Sequence, residues 1–201
     1  MKSELSINYP FYLIHGTKDI NSILSILKNK KIKIGKNLKI DERKFGGIDP
    51  LDYVYANIYF EDLNNLSHLW DFSIILHPKI LIDYNGIFNK GWPGHPVKDS
   101  IHFNKSDSLK IFNKKINDVR KFVKNPESLP KIVKDSPGLL HHEIIFDQEL
   151  PIENYIIGIV CNHCPNELLE KIKNNLKKYL FSDIKIITKN YPLPTLEYLI
   201  Y

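Results

Sequence analysis

Apolar residues in this chain come in short runs divided by polar turns, and the period of each run suggests its element. Residues 7–15, INYPFYLIH, are β-rich in type and end at His15-Gly16-Thr17. Asp19 or Thr17 can then cap a helix whose one face is Ile20, Ile23, Leu24, Ile26 and Leu27. KKIKIG (30–35) alternates as a short strand closed by Gly35. A polar loop follows, with Gly46-Gly47 and Pro50 as turn signals. DYVYANIYF (52–60) alternates again as a strand, Glu61 to Trp70 reads as a short helix or turn, and DFSIILH (71–77) returns as a strand.

The segment 78–137 is the least patterned, with turn-rich DYNGIFNKGWPGHP (83–96) and a helix expected near 114–124. HHEIIF (141–146) and NYIIGIVCN (154–162) are strong strand signals on either side of a Pro151 turn. NELLEKIKNNLKKYL (166–180) is an amphipathic helix, DIKIITK (183–189) a strand, and YPLPTLEYLIY an extended tail. The sum is an α+β, strand-dominated chain with a terminal strand–helix–strand unit over 154–201.

Composition narrows the class. A chain of 201 residues suits one domain over 1–201, and 43% hydrophobic residues supply a core. No segment nears the roughly 20 apolar residues of a membrane span. Met1-Lys2-Ser3-Glu4 does not open an apolar signal sequence. The expectation is a cytoplasmic monomer without membrane contact, or one delivered into a host cytosol or nucleus. The net charge of +5 favours an anionic partner such as nucleic acid or a phosphate-bearing ligand without requiring one. Lysine-rich stretches such as 171–178 read first as a solvated helix face.

The chemistry concentrates at GLLHHEIIFD (138–147). Glu143 lies within an apolar strand, and a carboxylate there is costly unless it is paired or used. His141 shares its strand face; His142 points the other way. Adjacent histidines on opposite faces do not converge on a metal, so no metal site is expected. Cys161 and Cys164 form a C-x-x-C between a strand and a helix. A structural role is the first reading; a redox pair or half of a zinc site are the alternatives.

Three segments together resemble the catalytic domain of poly(ADP-ribose) polymerases. FYLIHGTKDINSILSILKNKKIKIG is similar to that family's opening strand, H-G-[ST] and helix. NIYFEDLNNLSHLW resembles its GIYFADxxxxSxxY segment, and HHEIIFDQELPIENYIIGI its glutamate-bearing strand. The motifs occur in order, with Glu143 128 residues beyond His15. They match the H-Y-E set of diphtheria-toxin-like ADP-ribosyltransferases over about 8–77 and 138–160.

The resemblance implies two packed, antiparallel-rich β-sheets with flanking helices. It implies NAD as co-substrate and a protein or nucleic-acid acceptor, with mono- rather than poly-transfer favoured. His15 would bond the adenosine-side ribose and, with Thr17, help bind the cofactor. Gly16 would hold the nicotinamide carboxamide through its backbone. Tyr59 and Trp70 would stack on the nicotinamide, and Ser67 would bond its carboxamide. Glu143 would bond the 2′-hydroxyl of the nicotinamide ribose and orient the acceptor. Arg43 could reach a pyrophosphate, although surface charge is its simpler reading.

The chain departs from the family pattern where Tyr55, Ala56 and Asn57 replace glycines before Ile58-Tyr59, and where tryptophan stands at 70. His141 occupies the position at which arginine-directed toxin transferases carry glutamate, which argues against that class. Two alternatives use the same fold: a non-catalytic ADP-ribose, NAD or nucleic-acid binding module, and an NAD-dependent RNA 2′-phosphotransferase.

Overall fold

The computed structural model describes residues 10–17, 19–35, 53–65, 71–90, 98–125, 142–181, 183–188 and 193–200. In chain order the elements are β1 (Phe11–Thr17), α1 (Ile20–Asn29), β2 (Lys31–Ile32), β3 (Val54–Phe60), β4 (Phe72–Leu76) and a single turn, α2 (Ile80–Asp83). There follow β5 (Gly86–Phe88), β6 (Ile101–Phe103), α3 (Leu109–Lys124), β7 (Glu143–Phe146) and β8 (Leu150–Pro151). The chain continues through β9 (Ile156–Cys161), α4 (Asn166–Lys178), β10 (Lys185–Ile187) and α5 (Leu196–Ile200).

Among the described residues, eight strands form one mixed sheet in the order β10-β9-β4-β1-β3-β7-β5-β6, while β2 pairs with β8. Of the two sheets expected, the described residues thus form one large and one of only two strands. Strand β7 pairs with β3 on one side and β5 on the other, so one ladder runs through all eight strands. The pairs are antiparallel except β9–β10, which are parallel and joined by α4 as a crossover.

Alternation divides the core. On β1, Phe11 and Leu13 enter the larger apolar cluster with Ile23 and Leu27 of α1 and Phe112 and Ile116 of α3. Tyr12 and Ile14 point to the other face, where Tyr59, Ile75 and Val160 lie under Leu193 and Leu199. Asp19 caps α1: its Oδ1 accepts from the Ser22 N–H at 2.9 Å. A lost cap of this kind costs about 1 kcal/mol.

The tail expected to be extended instead turns into α5. Its first amide, Leu196 N–H, donates to Glu61 Oε1, and Tyr198 N–H donates to Thr195 Oγ1 at 3.2 Å. The Tyr12 hydroxyl donates to Pro194 O at 3.0 Å, pinning the approach to the sheet. Helix α3 begins five residues before the expected 114, after Ser108, whose Oγ accepts from Ile111 N–H. Cys161 and Cys164 are joined in a disulfide between β9 and α4, with His163 between them at φ 48° in the left-handed region. Thiols joined in this way are not available to zinc.

Candidate active site

His15 sits near the end of β1, where the chain leaves the sheet for α1. Its Nδ1–H donates to Tyr55 O at 2.7 Å, because a carbonyl can only accept. Burial lowers the imidazole pKa, against a smaller upward effect of this bond. The ring is therefore neutral at neutral pH, and Nε2 is left as an acceptor. Thr17 is more committed: its hydroxyl donates to Phe72 O at 3.1 Å and so ties β1 to β4.

His15, Gly16 and Thr17 open into a cavity of about 490 Å³ between the end of β1, one side of α1, β2 and the start of β3. Its other walls include Asp19, Ser22, Ile26, Ile32, Lys33 and Tyr55. The mixture of apolar walls, hydroxyl and amide groups and two lysines, Lys31 and Lys33, suits a polar aromatic ligand with sugar or phosphate attached.

Glu143 opens β7, an interior strand. The preceding carbonyl, His142 O, accepts from Ile58 N–H at 2.8 Å, and Glu143 O accepts from Asn89 N–H at 3.0 Å. His142 is buried on the opposite face, its Nδ1 accepting from Asn65 Nδ2 at 3.1 Å. Asn65 also grips β3, accepting from Phe60 N–H and donating to Ile58 O. The glutamate is thus held rigidly by its backbone. Its side chain has nothing comparable: Oε2 is enclosed without a hydrogen-bond partner among the described residues. Burial pushes the carboxyl up to about 7.

Tyr59 shares the sheet face of Glu143. Asn57 is opposite Glu143 in the β3–β7 register, and Tyr59 lies two residues along from Asn57 on the same side. Such diagonal neighbours are about 7–8 Å apart. The Tyr59 ring is 4% exposed, with its centroid 5.1 Å from that of Tyr12, and its hydroxyl donates to Asn64 Oδ1 at 3.1 Å. The ring is therefore almost wholly enclosed by protein.

The expected site residues divide by sheet face. Gly16, Tyr59 and Glu143 share one face and His15 and Thr17 project from the other; along the strands Tyr59 is level with Tyr12 and Glu143 with Ile14, while His15, Gly16 and Thr17 lie toward the other end of β1. The cavity walls include the His15 group but not Tyr59 or Glu143. Ser67, Trp70, Arg43, His141 and the 91–96 turn lie outside the described residues. Asn57, which the sequence reading treated only as a departure from a glycine pattern, is buried beside Glu143 with its Oδ1 unpartnered. Its signal was present: an amide between Ala56 and Ile58 in an otherwise apolar strand. Among the described residues no group of His, Cys, Asp and Glu is placed to hold a metal ion.

Residues 8–126 match a family of unknown function, DUF5846. The chain belongs to the DUF5846 family. Uncharacterized protein R11 of Acanthamoeba polyphaga mimivirus is 41% identical over 216 residues, covering 100% of this DUF5846 chain and 79% of that protein. In fold, this DUF5846 protein is similar to DarT of Thermus sp. 2.9 in complex with carba-NAD+, with a TM-score of 0.51 and 10% identity. That likeness covers 90% of this chain and 96% of DarT. The same DarT in complex with ADP-ribosylated ssDNA gives a TM-score of 0.48 at 10% identity, covering 90% and 94%. At this identity the likeness concerns the fold alone: the DUF5846 chain has a DarT-like fold.

Proposed function

We propose that this protein is an NAD-dependent ADP-ribosyltransferase of the H-Y-E type that transfers a single ADP-ribose to a protein or nucleic-acid acceptor and releases nicotinamide. The observation that carries the reading is Glu143, whose Oε2 has no hydrogen-bond partner among the described residues, fixed on an interior strand of a DarT-like fold. An unpaired buried carboxyl weakens a fold, and its retention fits a group used on a ligand.

In this reading NAD reaches from the cavity at the end of β1 toward the row of Asn57 and Glu143 on the opposite face. The 490 Å³ cavity takes the adenosine half, with His15 Nε2 accepting from a ribose hydroxyl and Thr17 closing the wall. Gly16 presents bare backbone to the nicotinamide carboxamide on the other face, where Ser67 adds a hydroxyl. Tyr59, buried against Tyr12, would have to expose its ring to stack on the nicotinamide, with Trp70 as the opposing ring.

Breaking the bond between nicotinamide and ribose develops positive charge on the ribose carbon. A fixed carboxylate at the 2′-hydroxyl stabilises that charge and can accept the proton of the incoming nucleophile. The cationic nicotinamide ring also favours the ionised carboxyl, so substrate binding draws Glu143 back toward the charged form. The net charge of +5 supports nucleic acid among the acceptors.

The test is transfer of label from adenylate-labelled NAD to a cell extract, with and without nuclease treatment, by wild type and Glu143→Ala. Labelled product with wild type alone is expected. Absence of both transfer and NAD hydrolysis in wild type refutes the enzyme reading. NAD binding without turnover would assign a binding module instead.

A further inference from the structure

Glu143 is one member of a polar row. Asn57 is its direct partner across β3–β7, and the amide of Asn89 donates to the Glu143 carbonyl on β5. Phe88 pairs with Ile101, so Asn89 and Ser100 are the next positions outward on β5 and β6. Directly opposed residues of antiparallel strands share a face. Asn57, Glu143, Asn89 and Ser100 therefore cross four strands on one side of one sheet end. In the next row on that side Ile145 lies between Tyr55 and Ile87, and His102 follows on β6.

Asn57 is 4% exposed, and its Oδ1 makes no hydrogen bond among the described residues. Glu143 Oε2 beside it makes none. Two adjacent buried acceptors without a donor are a deficit that each costs about 1–3 kcal/mol. The two side chains do not relieve it by bonding to each other. Cross-strand partners hold their Cβ atoms about 4.5–5.5 Å apart, so their tips can reach two neighbouring donors on one small group. A cation would answer the carboxylate and leave the amide Nδ2 facing like charge. A hydroxyl both donates and accepts, and so suits both groups.

Resting on the NAD-dependent reading above, we infer that Asn57 and Glu143 together bind the cis-diol of the nicotinamide ribose, Glu143 taking the 2′-hydroxyl and Asn57 Oδ1 the 3′-hydroxyl. Asn57 is then the specificity residue for a 3′-hydroxylated sugar. The ribose is held at two points, which fixes the reacting carbon against rotation about the Glu143 contact.

The experiment is calorimetric titration of the full chain with NAD and with analogues lacking the 2′- or the 3′-hydroxyl of the nicotinamide ribose. Wild type should prefer NAD over the 3′-deoxy analogue by about tenfold, the worth of one buried hydrogen bond. Asn57→Leu and Asn57→Ala should lose that preference and keep the preference over the 2′-deoxy analogue. Asn57→Leu removes an unpartnered buried acceptor at similar volume, so its Tm should equal or exceed that of wild type. A purely structural asparagine would lower it.

Equal binding of NAD and the 3′-deoxy analogue by wild type overturns the inference without any variant. Unchanged discrimination in the Asn57 variants also overturns it, while the NAD reading stands. No NAD binding by wild type overturns both.

Discussion

At the scale of single residues, Glu143 is a measurable liability. Its folded carboxyl, raised by burial to about 7, keeps a proton that the unfolded chain has released above its ordinary 4.5. Between those values the native state binds more protons than the unfolded state. Stability therefore falls as pH rises through that window, by up to roughly 3 kcal/mol. Glu143→Gln should raise Tm at pH 8 and leave it unchanged near pH 4, read by thermal melts at both pH values. A Tm at pH 8 no higher than wild type would mean that the carboxyl has a partner in solution. His15 offers the complementary case. With Nδ1 bound to Tyr55 O, its Nε2 is the ligand-facing acceptor, so His15→Ala should weaken NAD binding by about tenfold in a titration.

These two residues differ in how openly the sequence declared them. Glu143 stood out because an ionisable group interrupted Leu139-Leu140 and Ile144-Ile145-Phe146. His15 gained meaning only beside Gly16 and the helix after it. Asn57 was passed over because a lone amide in a strand carries no chemistry until register sets it opposite Glu143. Register is a tertiary fact, and periodicity within one strand does not supply it.

At the scale of elements, strongly periodic segments were legible and short ones were not. β1, α1, β3, β4, β9 and α4 follow their hydrophobic patterns. Strands β5 and β6 have three residues each, too few for alternation to separate them from turns. Helix α5 owes its form to Glu61 and Thr195, partners its own sequence window does not contain or rank. The eight-stranded sheet depends on β5 pairing with β7, and Gly86 lets that corner close. A Cβ there would lie 2.8 Å from Leu81 Cδ2 and 3.1 Å from the Phe146 ring, both fully buried. Gly86→Ala should cost about 1–3 kcal/mol, measured by urea denaturation. It should also weaken NAD turnover, because β5 carries the amide that holds the Glu143 carbonyl. A neutral substitution would show that the Leu81 side chain yields freely.

At the scale of the whole molecule, the sheet separates the candidate site residues between its two faces, with Glu143 level with Ile14 in the middle of β1. His15, Gly16 and Thr17 border the cavity against α1, while Tyr59, Asn57 and Glu143 occupy the opposite face. The sequence supplied these parts in chain order but not their division between faces. The Cys161–Cys164 disulfide begins level with Thr17, across Phe72 of β4, and closes a loop with a sequence separation of only 3. So short a loop constrains the unfolded chain little, by about 2 kcal/mol. A reductant should lower Tm by no more than about 8 °C for a chain of this size and leave NAD binding intact. Loss of binding on reduction would place the disulfide within the functional site.

The central claim is that Glu143 acts on the ribose of bound NAD. Its most direct measurement is nicotinamide release from NAD by purified protein at pH 8, wild type against Glu143→Gln, with NAD affinity determined for both. The account predicts release by wild type and a loss of about a hundredfold or more in Glu143→Gln, with NAD still bound. Equal release by the two proteins would contradict it.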